Sequence, residues 1–377
     1  MGLENLDLKI VKRQLADAWE AERKDLERLR EIAGQVRDGV RKLGRQQASA
    51  VAFVAADGGD NRIRLNAAPG GTPAIVELVR VVDSNGRECA LDAVAGAVDD
   101  DFFGQPRTDP VIRLCHDLGA SRMSDLSPYL GNARLSRPQK MGIYRDIVEW
   151  AVLYHLLAER EWGSDTLLVR EGALRTRSFH PEVFHQLDSN IRAACEQHRQ
   201  KSGVNMFFVS VAKNTVLLER LRFALSLEGA FDRDYPCYVH VRKEIAQQFY
   251  ERRWLDTLET ADGQEYQSMA EMFLVKFGDH PLDPIWPVDV FVQQSDQSEK
   301  ILGYLAEDAR PGFPIPDFPM CIQKAHDHAK IGGIELSFLN DLLFDHITAN
   351  MSKGEREKAL RARHLREDPG DLRYRHE

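Results

Sequence analysis

At 377 residues, 43% of them hydrophobic, the chain is long enough for one large domain or two ordinary ones and can fill a real core. A formal net charge of −9 argues against a protein that coats nucleic acid nonspecifically, while leaving room for a local basic groove. The apolar runs are strand-sized, far below the ~20 residues of a membrane span.

The opening MGLENLDLKIVKRQ mixes acids with bases and lacks the apolar centre of a signal peptide, so a cytoplasmic location and no membrane partner are expected. From Leu15 to Leu43, apolar residues at Leu26, Leu29, Ala33, Val36, Val40 and Leu43 recur at steps of three and four with charges between them, which predicts a long amphipathic helix. Its seam suits either a coiled coil with a second chain or packing along its own domain. Next, VAFVAADGGDNRIRL (51–65) reads as a strand ending at Asp57, a turn over Gly58–Gly59 and Asp60–Asn61, and a second strand over 61–66. A third strand over 74–83 enters a Ser84-Asn85-Gly86 turn, completing an antiparallel meander. Residues 99–136, rich in Asp, Gly, Pro and Ser, resemble an ordered insertion.

Beyond it, Arg137–Trp162 carries a helical pattern and Thr166–Arg170 a short buried strand. Helix and strand then alternate: helix over 181–201, strand 204–211, helix 215–227, strands near 238–241, 272–277 and 288–292, and helices from Gln297 and within 321–350. A meander followed by this alternation predicts an α/β fold with a mixed sheet flanked by helices. Charge dominates 353–377, which predicts a frayed tail.

Several acids and bases stand out. Asp57 closes an apolar run, as a turn acceptor or as one ligand of a metal. Glu149 lies in the most apolar part of its helix, and Glu171 repeats the pattern of apolar strand, acid, glycine. Lys213 follows a strand, beside a helix N-cap placed at Asn214. His326 lies in FPMCIQKAHDHAK, where His328, two residues on, points away from it on a helix and shares its face only on a strand. His180, His185, His240 and His280 lack acidic or histidine partners at ligand spacing and read as ordinary residues. Phosphodiester hydrolysis with two divalent ions needs several oxygen ligands held by rigid strand ends and a base for the developing charge, and these residue types suit it. The five cysteines form no C-x-x-C pair and give no sign of a disulfide framework or zinc ribbon. No G-x-x-x-x-G-K-[ST] motif is present.

The order of the pieces resembles the NurA family of DNA-end-processing nucleases over about residues 50–345. VAADGG (54–59) looks like the family's first D-G-S motif, and Glu149 like its second acid. LLVREGALRT (167–176) looks like the strand ending in D-G-S-L, VSVAKNT (209–215) like the strand-end lysine motif, and FPMCIQKAH (318–326) like the closing Y-P…A-H. The resemblance implies an RNase H-like core. It also implies Asp57, Glu149, Glu171 and His326 as ligands of Mn²⁺ or Mg²⁺, Lys213 at a phosphate or carboxylate, DNA as substrate, a homodimer, and a HerA-type hexameric ATPase as partner. It divides the chain into an N-terminal helix (1–48), a nuclease domain (49–350, insertion about 99–136) and a charged tail (351–377). Gly59 stands where the family has serine, an exchange expected to be mild. Glu171 stands for aspartate and Phe318 for tyrosine, which leaves a weakened nuclease, or an inactive adaptor docking on the ATPase, as the alternative.

Overall fold

The computed structural model describes residues 8–46, 50–65, 74–95, 104–132, 134–176, 178–249, 258–259, 265–266, 269–349 and 351–365. Among these the strands are β1 (Arg41–Lys42), β2 (Val51–Leu65), β3 (Ala74–Asp83), β4 (Glu88–Ala95), β5 (Asp165–Glu171), β6 (Met206–Val211), β7 (Cys237–His240), β8 (Leu258–Glu259), β9 (Glu265–Tyr266), β10 (Ala270–Lys276) and β11 (Ile285–Phe291). Nine form one mixed sheet in the order β1-β7-β10-β11-β6-β5-β2-β3-β4, and β8 and β9 make a separate ribbon. The expected α/β class, a mixed sheet with flanking helices and a long N-terminal helix, is therefore what the chain adopts. No helix among the described residues is long and apolar enough to cross a membrane.

The chain divides into two compact units. One comprises Met1–Phe53, Trp162–Arg177 and Cys195–Gln323. Here β5 and β6 run parallel with Glu171 opposite Val211, while β6–β11, β11–β10, β10–β7 and β7–β1 are antiparallel. Helices α1 (Leu8–Asp38) and α6 (Val216–Leu227) cover one face of β7 and β10. Leu29, Ile32, Ala33 and Val36 meet Leu217, Leu218, Leu221, Val239, Met272 and Leu274 in a single buried cluster. The described part of the N-terminal seam thus packs on its own domain, the second of the two expectations. The helix stops at Asp38, short of Leu43; Gly39 and Val40 turn the chain into β1, and Leu43 is buried beyond it.

The other unit comprises Val54–Glu161, Ser178–Ala194 and Lys324–Glu377. Its meander differs from the expected one. β2 does not turn at Gly58–Gly59 but continues as one strand, paired antiparallel to β3 from Ala56↔Asp83 to Leu65↔Ala74, and β3 pairs in turn with β4, a strand the sequence pattern missed. The glycines serve close approach instead of a turn. A Cβ at Gly58 would lie 2.6 Å from Glu149 Oε1, and one at Gly59 2.3 Å from the Ala329 carbonyl oxygen. The described part of the insertion holds helices α2 (Asp109–Asp117) and α3 (Met123–Leu126), with α2 packed on α4 (Arg137–Glu159). Helix α10 (Gly333–Thr348) sets Leu336, Leu339 and Leu343 on Val76, Leu78 and Ile331. The start of the tail is not frayed: α11 (Lys353–Leu365) is helical, opened by Ser352 bonding Glu355 and tied to α10 by Arg356 and Asp345 at 2.7 Å. Strong helix formers and a capped first turn outweigh its charge. Residues 366–377 lie outside the described residues.

Candidate functional site

Asp57 lies within β2, not at its end, with its side chain only 10% exposed. Its Oδ1 accepts the Gly58 N–H at 2.8 Å, the local bond expected of a structural aspartate, while Oδ2 lies 2.7 Å from Nδ1 of His326. The two residues are 269 positions apart, so a fixed crossing of the chain must hold them together. That crossing is visible just after His326. The Ala329 and Lys330 carbonyls accept Arg80 Nε at 3.3 Å and Nη2 at 2.5 Å, Ile331 O accepts the Asn61 amide at 3.3 Å, and Arg80 Nη1 pairs with Glu335 at 2.7 Å. β2 and β3 clamp the segment that leaves α9 (Met320–Ala329), and His326 sits one turn upstream of the clamp. Because 320–329 is helical, His328 does not share that face; it lies over the Gly86 turn, its Cε1 3.4 Å from where a Cβ there would stand.

Glu149 is buried, as an acid on the inner face of α4. Its Oε1 lies 3.5 Å from Nε of Arg145, one turn earlier, and Arg145 also pairs with Asp60. Burial opposes the Arg145 charge, but Glu149, Asp60 and Asp57 together hold its pKa above the ordinary arginine value. Asp57, Glu149 and His326 are therefore assembled within one unit, around the β2 glycines. Sequence reasoning missed Arg145; its signal was the i, i+4 spacing to Glu149.

In the other unit Glu171 ends β5, and Gly172 turns the chain with φ +110°. Its Oε1 is 2.7 Å from Nζ of Lys213, two residues beyond the end of β6. Glu171 at the carboxyl end of β5 and Lys213 just past that of β6 thus stand side by side on adjacent parallel strands, where open α/β sheets place ligands. The N-cap of α6 is Thr215, not Asn214: Thr215 Oγ1 accepts the Leu218 N–H at 3.2 Å, while Asn214 Oδ1 takes the Thr215 N–H. Lys213 is therefore clear of the capping position. Its Nζ sits 5.9 Å from the ring centroid of fully buried Phe318, which itself packs on Trp286, so the ring offers an aromatic face to the lysine. The loop after Glu171 is pinned by Asp289, a residue the sequence reading passed over. Buried on β11, it accepts the Leu174 N–H at 3.0 Å and pairs with Arg175. An acid inside the apolar run IWPVDVF was its only signal.

Among the remaining histidines, His240 has an acidic partner after all, Glu271 at 3.4 Å, brought by the neighbouring strand β10. His180 donates its backbone N–H to Leu126 O, and His280 Nδ1 accepts the Leu282 N–H at 3.1 Å.

No protein-family model and no curated protein matches the chain. Among solved structures it is similar to the NurA nuclease from Sulfolobus solfataricus, at 11% identity over 92% of this chain and 99% of that one, with a TM-score of 0.44. A second NurA structure gives 11% identity over the same shares with a TM-score of 0.46. A NurA structure bound to dAMP and manganese gives 12% identity over 94% and 97%, with a TM-score of 0.43.

Proposed function

We propose that this chain is a divalent-metal-dependent DNA nuclease of NurA type. The observation that carries the reading is the gathering of Asp57, Glu149 and His326, far apart in sequence, around one pair of strand glycines, with His326 directly on Asp57 at 2.7 Å. Carboxylate oxygens with one imidazole and no thiolate suit Mn²⁺ or Mg²⁺ better than a soft metal. In this reading Asp57, Glu149, Glu171 and His326 hold the metal. When bound, it would activate water for attack on a phosphodiester and stabilise the leaving oxygen. Lys213 neutralises Glu171 or contacts a phosphate, and Arg145, 3.5 Å from Glu149, orients that carboxylate. Asp289, through Leu174 and Arg175, fixes the loop that follows Glu171.

The working assembly in this proposal is a cytoplasmic homodimer acting on DNA ends with a HerA-type ATPase, in end processing or in defence against invading DNA. Cleavage of end-labelled single- and double-stranded DNA, with Mn²⁺, with Mg²⁺ and with EDTA, tests it. Asp57→Asn should lower the metal-dependent rate at least ~100-fold with the fold retained, since it removes an anionic ligand and little packing. Cleavage by Asp57→Asn at the parent rate would refute the site.

A further inference from the structure

The first of the two units contains a cavity of about 370 Å³ that the nuclease reading does not use. Gln35, Val36 and Gly39 around the end of α1 line it, with Arg41 of β1, Tyr238 and His240 of β7, Arg242 beyond it, Glu271 and Phe273 of β10, Ser295, and Ser298 at the start of α8 (Ser298–Ala309). The register explains the grouping. Arg41 pairs with Tyr238, and His240 with Phe273, so these four side chains share one face of the sheet. β1 is only two residues long, which leaves a notch in the sheet edge beside His240. In sheet order, β11 separates β10 from β6, so the notch is distinct from the Glu171–Lys213 pair.

The charges of the notch are not balanced. The one carboxylate of the lining, Glu271, lies 3.4 Å from Nε2 of His240, against two guanidiniums, Arg41 and Arg242. Arg242 donates to the neutral Gln35 amide oxygen at 2.6 Å, and Arg41 donates to the Tyr238 phenol oxygen, with Glu299 in electrostatic reach of that phenol. Two guanidiniums with neutral partners therefore face one small cavity beside two serine hydroxyls. Guanidinium pairs with hydroxyls are the chemistry that recognises phosphate, by forked, charge-assisted hydrogen bonds. Below them lies an aromatic floor, with His240 and Phe273 centroids 5.1 Å apart and Tyr238 and Phe273 6.3 Å apart. The volume sits at the lower end of small-molecule sites, too small for a folded partner.

From this we infer that the notch is a binding site for a small organic phosphate, its phosphoryl group held by Arg41, Arg242 and the hydroxyls of Ser295 and Ser298, and its organic part resting on Tyr238, His240 and Phe273. The site needs no metal and is independent of the nuclease reading. Calorimetric titration of the full chain in EDTA tests it, using inorganic phosphate, adenosine monophosphate and glucose 6-phosphate. At least one organic phosphate should bind below ~1 mM and at least ~10-fold tighter than inorganic phosphate, and which one binds distinguishes a nucleotide from a sugar phosphate. Combining Arg41→Ala with Arg242→Ala should weaken binding at least ~10-fold, whereas Arg220→Ala, on α6, should leave it within about twofold. Ser298→Asp, which places a carboxylate in the cavity without removing packing, should weaken it as strongly and guards against a double variant that fails to fold. Binding unchanged in Ser298→Asp, or no heat from any of the three at ~5 mM, would overturn the inference.

Discussion

The strand glycines give a prediction whose size follows from the geometry. An alanine Cβ at Gly59 would stand 2.3 Å from the Ala329 carbonyl oxygen and 3.0 Å from its carbon, while ordinary contact begins at 3.4 Å. The strand and the segment crossing it must therefore separate by about 1 Å, the difference of those distances, and the obstacle is backbone that cannot rotate away. Overpacking of this kind costs ~1–3 kcal/mol. Against it, replacing glycine stiffens the unfolded chain and returns ~0.4–1 kcal/mol. The clash wins, and Gly59→Ala should lose roughly 1–2 kcal/mol, with Gly59→Ser no better. At Gly58 the obstacles are the ends of side chains, Glu149 Oε1 at 2.6 Å and Arg145 Cγ at 2.9 Å, which can move. Gly58→Ala should cost less stability but shift Glu149 and lower cleavage. Gly34, in α1 with open space around it, supplies the control: Gly34→Ala should stabilise by ~0.5–1 kcal/mol. Urea unfolding at constant slope measures all three. A Gly59→Ala protein as stable as the parent, or less damaged than Gly58→Ala, would refute the reasoning.

Asp289→Ala should destabilise by ~3–5 kcal/mol, because it leaves Arg175 buried without its carboxylate; chemical denaturation checks this, and a loss below ~1 kcal/mol would show that the pair does not pin the loop. Asp117 gives a pH prediction. Burial alone would raise its pKa, but bonds from His116, Arg113 and Tyr154 hold it below its ordinary value. Its contribution to stability is therefore complete above the unfolded carboxylate value and is lost as pH falls through the lower folded one. Asp117→Asn should flatten the acid side of the stability–pH curve, and identical curves for variant and parent would remove the residue from that role.

Periodicity made most elements legible. The helices of 137–159, 181–202, 216–227 and 298–309 and the strands β5, β6, β10 and β11 stand within a few residues of their sequence-derived limits, because the helices carry a helical period and the strands are short apolar runs buried on both faces. The reading of 51–66 failed for a definite reason. Gly-Gly-Asp-Asn is turn chemistry only if nothing needs the space above the glycines, and here α4 and the segment after α9 both come within a bond's reach of where a side chain would begin. Such demands come from residues 90 to 270 positions away and leave no local signal. The candidate site is legible only in part: Asp57, Glu149, Glu171, Lys213 and His326 stand out as residue types in order, Arg145 and Asp289 each carry one weak local signal, and the Arg80 clamp is fixed by tertiary crossings alone.

The two acids carried by strands share one arrangement. Asp57 in one unit is met by His326, and Glu171 in the other by Lys213, each base arriving from an element later in the chain. Carboxylates held at 10% and 19% exposure need such compensation. A metal-free docking protein would keep these pairs as fixed ion pairs; a nuclease would keep the bases as placeholders that a divalent ion supplements. The readings diverge when a base is removed. Lys213→Ala removes the cation 2.7 Å from Glu171 and should lower the melting midpoint in EDTA under either reading. If the carboxylates bind metal, saturating Mn²⁺ restores compensation and stabilises by RT ln(1 + [L]/Kd), about 2.7 kcal/mol at a hundredfold excess over Kd. The Mn²⁺-induced rise in midpoint should then be at least as large in Lys213→Ala as in the parent and should vanish in Asp57→Asn. A Lys213→Ala protein whose midpoint ignores Mn²⁺, in a chain that cleaves no DNA, would overturn the nuclease in favour of the adaptor.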